Sequence, residues 1–324
     1  MDTEIELTTP EVNLMRVRNR LLAILCVLWF AAPASAATID YSAPPGNNYD
    51  KADFRLWFPD DAGRIRAIVV LVPGSNGDGR PMAADEFWQK FAAERHLALV
   101  ACRFTDKKHD QSFIEEYVNV LQGSGQALLD ALREFATQSK HPEIAGAPIM
   151  LWGMSAGGEF DYEFTAWKPE RVIAFVVNKG NIYYTALAPA AARAVPGLLF
   201  TGEKDLEFRT NTIVGLFAVN RRAGALWALT QEPGLGHEVG RSKDLGAMLF
   251  DAVLPLRLPE TGATADGTVA LRALSDKDGF YGDPGDHTIA PVASAKPPSK
   301  PVAWLPTERL AKAWLAVVTG KAFD

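Results

Sequence analysis

From Asp53 onward the chain alternates short, wholly apolar runs with longer stretches in which apolar residues recur every three or four positions. The first pattern marks strands buried on both faces and the second marks amphipathic helices. Their alternation predicts a mainly parallel sheet flanked by helices. The apolar runs predict an edge strand over residues 53–58 and further strands over 65–72, 97–104, 149–153, 172–177, 197–202 and 223–229. Helical spacing falls on residues 82–95, 113–137 and 210–222. One α/β domain is expected over residues 37–257. Beyond it Gly, Asp, Pro and Ala crowd residues 259–301, and only 268–274 reads as strand-like, so 258–324 is expected to be a loop-rich extension. Thr307 is placed to cap a last helix whose Leu310, Trp314, Leu315 and Val318 share the face that docks on the domain.

The first 36 residues break this pattern. Arg16, Arg18 and Arg20 precede an apolar run from Leu21 to Ala32, and Pro33 and Ala34-Ser35-Ala36 follow. That order reads as an export signal cleaved after Ala36, with a run too short to remain as a membrane span. Asp2, Glu4, Glu6 and Glu11 sit badly in the basic start of such a signal, so translation is expected to begin at Met15. The expected location is the periplasm or the medium. Cys102 is then the only cysteine of the mature chain, and its apolar strand setting makes it a core residue.

Across 324 residues, 48% hydrophobic and 22% charged with a net charge of −6, there is room for a large core and no sign of disorder. No Lys/Arg cluster could track a phosphate backbone, so nucleic acid is not an expected partner. Oligomeric state is left open.

The strongest chemical signal is Gly153-Met154-Ser155-Ala156-Gly157, placed where an apolar strand runs into a helix. A nucleophile on a sharp strand-to-helix turn needs small neighbours, because the backbone is strained and its flanks pack closely. Gly153, Ala156, Gly157 and Gly158 meet that demand. A serine hydroxyl is a weak nucleophile at neutral pH without a base and an orienting acid. Both follow in chain order. Asp205 ends the run Leu198-Leu199-Phe200-Thr201-Gly202, with Glu203 as its rival, and His237 lies in the turn Pro233-Gly234-Leu235-Gly236, with His287 in reserve. Oxyanion donors are expected at the Ala156 N–H and, from the loop Pro73-Gly74-Ser75-Asn76-Gly77, at Ser75, with Asn76 competing.

These motifs resemble the α/β-hydrolase superfamily and, within it, secreted esterases similar to polyhydroxybutyrate depolymerase-like and dienelactone hydrolase-like proteins. The resemblance covers about residues 50–255. It implies an eight-stranded, mostly parallel sheet and a metal-free, cofactor-free acyl-enzyme mechanism acting on a small or polymeric ester. Family oxyanion loops often begin His-Gly, where this chain has Pro73-Gly74.

Only about 20 residues separate Val177 from Gly197, too few for a large cap domain at the usual insertion point of this fold. The rim of an open site is expected to include Phe104, Phe160, Tyr183 and Tyr184, holding an apolar or aromatic acyl group or a sugar. Glu159 and Asp161, beside Ser155 in sequence, are expected to disfavour acidic substrates. A serine peptidase on the same fold and a non-catalytic binding protein remain alternatives. The tail acids Asp276, Asp278, Asp283 and Asp286 lack EF-hand spacing and read as a solvated loop, not a metal site.

Overall fold

The structure, a computed structural model, describes residue 1 and residues 37–323. The export signal and the start at Met15 fall outside the described residues.

Eight strands form one sheet: β1 (Ala37–Ala43), β2 (Lys51–Phe58), β3 (Ile68–Val72), β4 (Ala98–Thr105), β5 (Ile149–Met154), β6 (Val172–Asn178), β7 (Gly197–Gly202) and β8 (Trp227–Glu232). Their spatial order is β1-β2-β4-β3-β5-β6-β7-β8. The pairs β1/β2 and β2/β4 are antiparallel, and every other pairing is parallel. This is the mostly parallel eight-stranded sheet expected.

The reason β3 carries no polar residue is visible in its two faces. Ile68, Val70 and Val72 enter one apolar cluster, and Val69 and Leu71 enter the other. The first cluster lies under α2 (Ser124–Ser139), α3 (Ala156–Trp167), α4 (Ala190–Arg193) and α5 (Glu207–Arg222). The second lies under α1 (Glu86–Ala93), α6 (Ser242–Arg257) and α7 (Glu308–Val318). A strand buried on both faces has no position that water would reward.

Four expectations about elements differ from the structure; residues 268–274, which read as strand-like, form no strand. The strand β1 precedes the predicted sheet. The helix expected from residue 113 begins only at Ser124, because Gly123 takes φ +133° and residues 113–122 form a loop with two short 3-10 turns. The last strand starts at Trp227 and not at residue 223, since Gly224, at φ +88°, first turns the chain out of α5.

After α6 the chain forms a small antiparallel sheet of β9 (Phe280–Asp283), β10 (Thr288–Pro291) and β11 (Ala303–Leu305), with order β10-β9-β11. With α7 it packs beside β8, where the Trp314 indole N–H donates to the Leu229 carbonyl at 2.9 Å and Arg221 donates to the Val302 carbonyl at 2.9 Å. Among the described residues no helix is long and apolar enough to cross a membrane, and no group of His, Cys, Asp and Glu is gathered as a metal site would need. Asp283 instead accepts from the Gly285 N–H and pairs with Lys300 at 3.0 Å.

Candidate active site

Parallel strands deliver their following loops to one edge of the sheet, and ligand sites of open α/β sheets form at that edge. Here β3, β5, β6, β7 and β8 all end there. The turn after β5 places Ser155 at φ +54° and ψ −124°, a conformation that L residues rarely adopt. Close packing holds it. A Cβ on Gly157 would collide with the Val72 carbonyl oxygen, and one on Gly153 would collide with the Gly157 carbonyl. The Ser155 N–H donates to the Asn178 carbonyl at 2.7 Å, and α3 starts at the next residue.

His237 reaches this turn from the loop between β8 and α6. Its Nε2 lies 3.0 Å from Ser155 Oγ, and its Nδ1 lies 2.9 Å from Asp205 Oδ2. The first half of its loop is tied to the turn after β7, where the Lys204 N–H donates to the Leu235 carbonyl at 2.8 Å and the Gly234 N–H donates to Glu203 Oε2 at 2.6 Å. Glu203, the rival acid, is therefore occupied in holding the loop. His287 lies between β9 and β10 in the C-terminal extension and takes no part.

The Asp205 carboxylate is only 2% exposed, whereas the His237 side chain is 32% exposed. Burial raises the carboxyl's pKa, but hydrogen bonds from His237, the Leu206 N–H and Arg209 outweigh it and hold the pKa below the ordinary aspartate value. Arg209 was not legible as a site residue in the sequence. It sits in the first turn of α5 and donates from Nη1 to Asp205 Oδ1 at 2.7 Å, leaving Oδ2 to His237. The i, i+4 spacing from Asp205 was the available signal.

The loop after β3 packs against this group. A Cβ added to Gly74 would lie 3.5 Å from the Ser155 Cβ. Gly74 and Gly77 close a turn at 2.9 Å, with Asn76 at φ +54°. The Asn76 N–H donates to the Tyr117 hydroxyl at 3.3 Å, and its Oδ1 accepts from the Asp106 N–H at 2.7 Å. Asn76 is thus engaged on both sides. Among the described residues, the Ser75 and Ala156 N–H groups donate to no protein acceptor.

The expected rim needs correction. Phe104 and Phe160 are 1% and 0% exposed and stack with centroids 4.9 Å apart, and Tyr117 stacks on Phe104 at 5.6 Å. These rings fill the space beneath the Gly74–Gly77 turn because β4 and α3 turn them inward. Tyr183 turns its hydroxyl into the protein, where it has no partner, and its ring meets Tyr162 edge-on at 5.1 Å. Burial pushes that hydroxyl's pKa far up. Tyr184 alone of the four is exposed.

The expectation of repulsion by Glu159 and Asp161 is also overturned. They are 1% and 0% exposed. Burial raises the Glu159 pKa to about 8, so it is largely neutral near pH 7, and pushes that of Asp161 well above the aspartate range. Cys102 is wholly buried, as expected, and burial raises its thiol pKa as well.

No protein-family model and no curated protein matches the sequence. Among solved structures the chain is similar to LpqC, a poly(3-hydroxybutyrate) depolymerase from Bordetella parapertussis, at 18% identity with a TM-score of 0.50, covering 70% of this chain and 92% of that one. It is also similar to a ferulic acid esterase at 11% identity, with a TM-score of 0.48, over 68% and 96% of the two chains. An esterase from Pyrobaculum calidifontis matches at 14% identity, with a TM-score of 0.47, over 69% and 86%. The chain has the α/β-hydrolase fold. At such identities the likeness reaches the fold, and activity has to be argued from the site.

Proposed function

We propose that this chain is an exported serine hydrolase, a carboxylic ester hydrolase that works through an acyl-enzyme on Ser155. The observation that carries this reading is the continuous hydrogen-bonded line from Ser155 Oγ through the His237 ring to Asp205 Oδ2, at 3.0 and 2.9 Å.

In this mechanism His237 Nε2 takes the hydroxyl proton as Ser155 Oγ attacks the ester carbonyl, then gives it to the departing alkoxide. Water adds to the acyl-enzyme with His237 again as base, and the acid leaves. Asp205 stays ionised and holds Nδ1–H, with Arg209 keeping its second oxygen from turning. The negative oxygen of each tetrahedral intermediate is received by the free N–H groups of Ala156 and Ser75. Asn76, with its own N–H spent on Tyr117, serves as the support of that turn.

Substrate preference follows from what flanks Asp205. Leu206 and Phe208, exposed just after it in the chain, favour an apolar acyl or alcohol group. With Glu159 and Asp161 buried and their pKa values raised, they present no surface charge to repel acidic esters. Export is carried by the basic and apolar signature of the first 36 residues.

Hydrolysis of p-nitrophenyl esters by the wild type and Ser155→Ala tests the reading. The variant should fold normally and lose kcat by about a thousandfold or more. Fluorophosphonate should label the wild type at Ser155 alone. A folded wild type that neither hydrolyses esters nor takes the label would exclude it. Sequencing of the mature N-terminus should begin at Ala37.

A further inference from the structure

We infer that Lys179, acting with Glu232, is a positioning residue that clamps the second half of the His237 loop and so sets the approach of His237 to Ser155. The inference rests on the serine hydrolase reading for its consequence in rate, and on the geometry below for the clamp itself.

Lys179 follows β6 and is 0% exposed, at φ +58°. Its ammonium donates to the Glu238 carbonyl at 2.8 Å, to Asn178 Oδ1 at 3.3 Å and to Glu232 Oε2. Three protons thus have three acceptors. Glu232, at the end of β8 and 1% exposed, uses its other oxygen to accept the Arg241 N–H at 2.6 Å. Asn178 Nδ2 donates to the Val239 carbonyl at 3.1 Å. The backbone at 238, 239 and 241 is therefore fastened to one buried ion pair and its neighbour. Gly240, at φ +53°, fits the loop around that pair, because a Cβ there would strike the Glu232 carboxylate.

The same two residues reach the other partner. The Asn178 carbonyl accepts the Ser155 N–H at 2.7 Å. Asn178 and Lys179 therefore connect the Ser155 turn to the His237 loop, two segments that are otherwise far apart in the chain. Neither Lys179 nor Glu232 bonds to Ser155, His237 or Asp205, so neither is a catalytic residue.

Stability alone gives a weak reason for the pair. Two apolar side chains of similar volume usually stabilise a core as well as a buried ion pair does. What apolar groups cannot supply is directed hydrogen bonds to an exposed loop. His237, Glu238 and Val239 are all exposed; outside the clamp they are held only by bonds within the loop and its helix start, such as Ser242 donating to the Val239 carbonyl at 2.7 Å, and by the His237 ring's own bonds to Ser155 and Asp205. A displacement of about 1 Å in such a base can cost about 100-fold in rate.

The test is the double substitution Lys179→Met with Glu232→Gln in the full chain, which removes the clamp without stranding a charge. Its melting temperature should stay close to that of the wild type. Its kcat for p-nitrophenyl esters should fall by about 10- to 100-fold with KM changed by no more than about twofold. A second readout needs no turnover: the low-field proton resonance of the His237 Nδ1–H bonded to Asp205 should be sharp in the wild type and broadened or lost in the variant. If the wild type proves to have no esterase activity, this resonance still decides the clamp. A variant that keeps both kcat and the resonance overturns the inference. Should the double variant fail to fold, a second charge-free pair, Lys179→Leu with Glu232→Met, should give the same losses, and unchanged kcat and resonance there would overturn the inference equally.

Discussion

Helix α7 has 11 residues and α3 has 12, yet they obey different rules. In α7 the Thr307 hydroxyl accepts the Leu310 N–H at 3.3 Å, and Leu310, Ala311, Ala313, Trp314 and Val317 make one buried stripe. Glu308, Arg309 and Lys312 take the solvent side. In α3 no side chain caps the start, and every residue from Ala156 to Thr165 is buried, three carboxyl groups among them. Two of these have structural employment. Glu159 Oε1 accepts the Asn181 N–H at 2.5 Å, and Glu163 accepts the Tyr184 and Thr185 N–H groups at 2.7 and 2.9 Å. One turn apart, they staple the loop after β6 onto the helix behind Ser155. The third, Asp161, lies against Gly153 with neither oxygen bonded. A helix that only stabilises a fold follows the amphipathic pattern. A helix that mounts a reactive turn buries polar groups at a cost in stability.

The largest effect that would break this contrast is at Gly157. In an exposed helix interior, Gly→Ala stabilises by about 1 kcal/mol. In α3 the new methyl would meet the backbone oxygens of Val72 and Pro73, which cannot move aside without distorting β3. Gly157→Ala should therefore destabilise by about 3 kcal/mol and move Ser155 away from His237. Denaturant unfolding checks the first consequence. A midpoint equal to or above the wild type would mean that α3 is not packed against β3 as described.

The same contrast explains what the sequence disclosed. Amphipathic α7 and its Thr307 cap were legible because apolar period and cap are local signals. The two-faced strands β3 to β7 were legible because burial on both sides leaves unbroken apolar runs. The Ser155 turn showed itself through glycines that close packing requires. The residues 113–122 misled because Phe113, Val118 and Leu121 fall at near-helical spacing, although Phe113 and Leu121 end up exposed. Strand β1 was missed because an edge strand pairs on one side only, and its polar Asp40 pairs across to Arg55 at 2.7 Å. Phe104 and Phe160 could not be sorted from Tyr184 by sequence, since an inward and an outward ring have the same composition. Lys179 and Glu232 were invisible for a further reason: a charged residue betrays its burial only through partners distant in the chain.

A smaller effect sharpens the polar side of α3. Glu159 has a folded pKa of about 8 against an ordinary value of 4.5. Between those values the folded chain keeps a proton that the unfolded chain releases, so stability falls as pH rises from about 4.5 to about 8. Glu159→Gln keeps an acceptor for the Asn181 N–H and has nothing to ionise. Wild type and variant should match near pH 4.5. By pH 8 the variant should be clearly the more stable of the two, because the wild type has by then lost the stability linked to the proton that Glu159 keeps. Parallel unfolding curves across that range would show Glu159 ionising freely and so reaching water.

The smallest effect belongs to the ordinary helix. Thr307 has extended backbone, φ −139° and ψ 155°, and its hydroxyl satisfies one of the N–H groups that the first turn of α7 leaves without a partner. Thr307→Ala removes that acceptor and leaves the Leu310 N–H to find water at a half-buried position. The expected loss is about 1 kcal/mol, measured by denaturant unfolding. Ester hydrolysis should stay unchanged, because α7 packs beside β8 and away from the loops that carry Ser155, Asp205 and His237. If Thr307→Ala instead lowers kcat at a temperature where the protein is fully folded, the extension does more than cover a sheet edge. The Trp314 bond to the Leu229 carbonyl, three residues before Glu232 on the same strand, would then be the route by which α7 reaches the His237 loop.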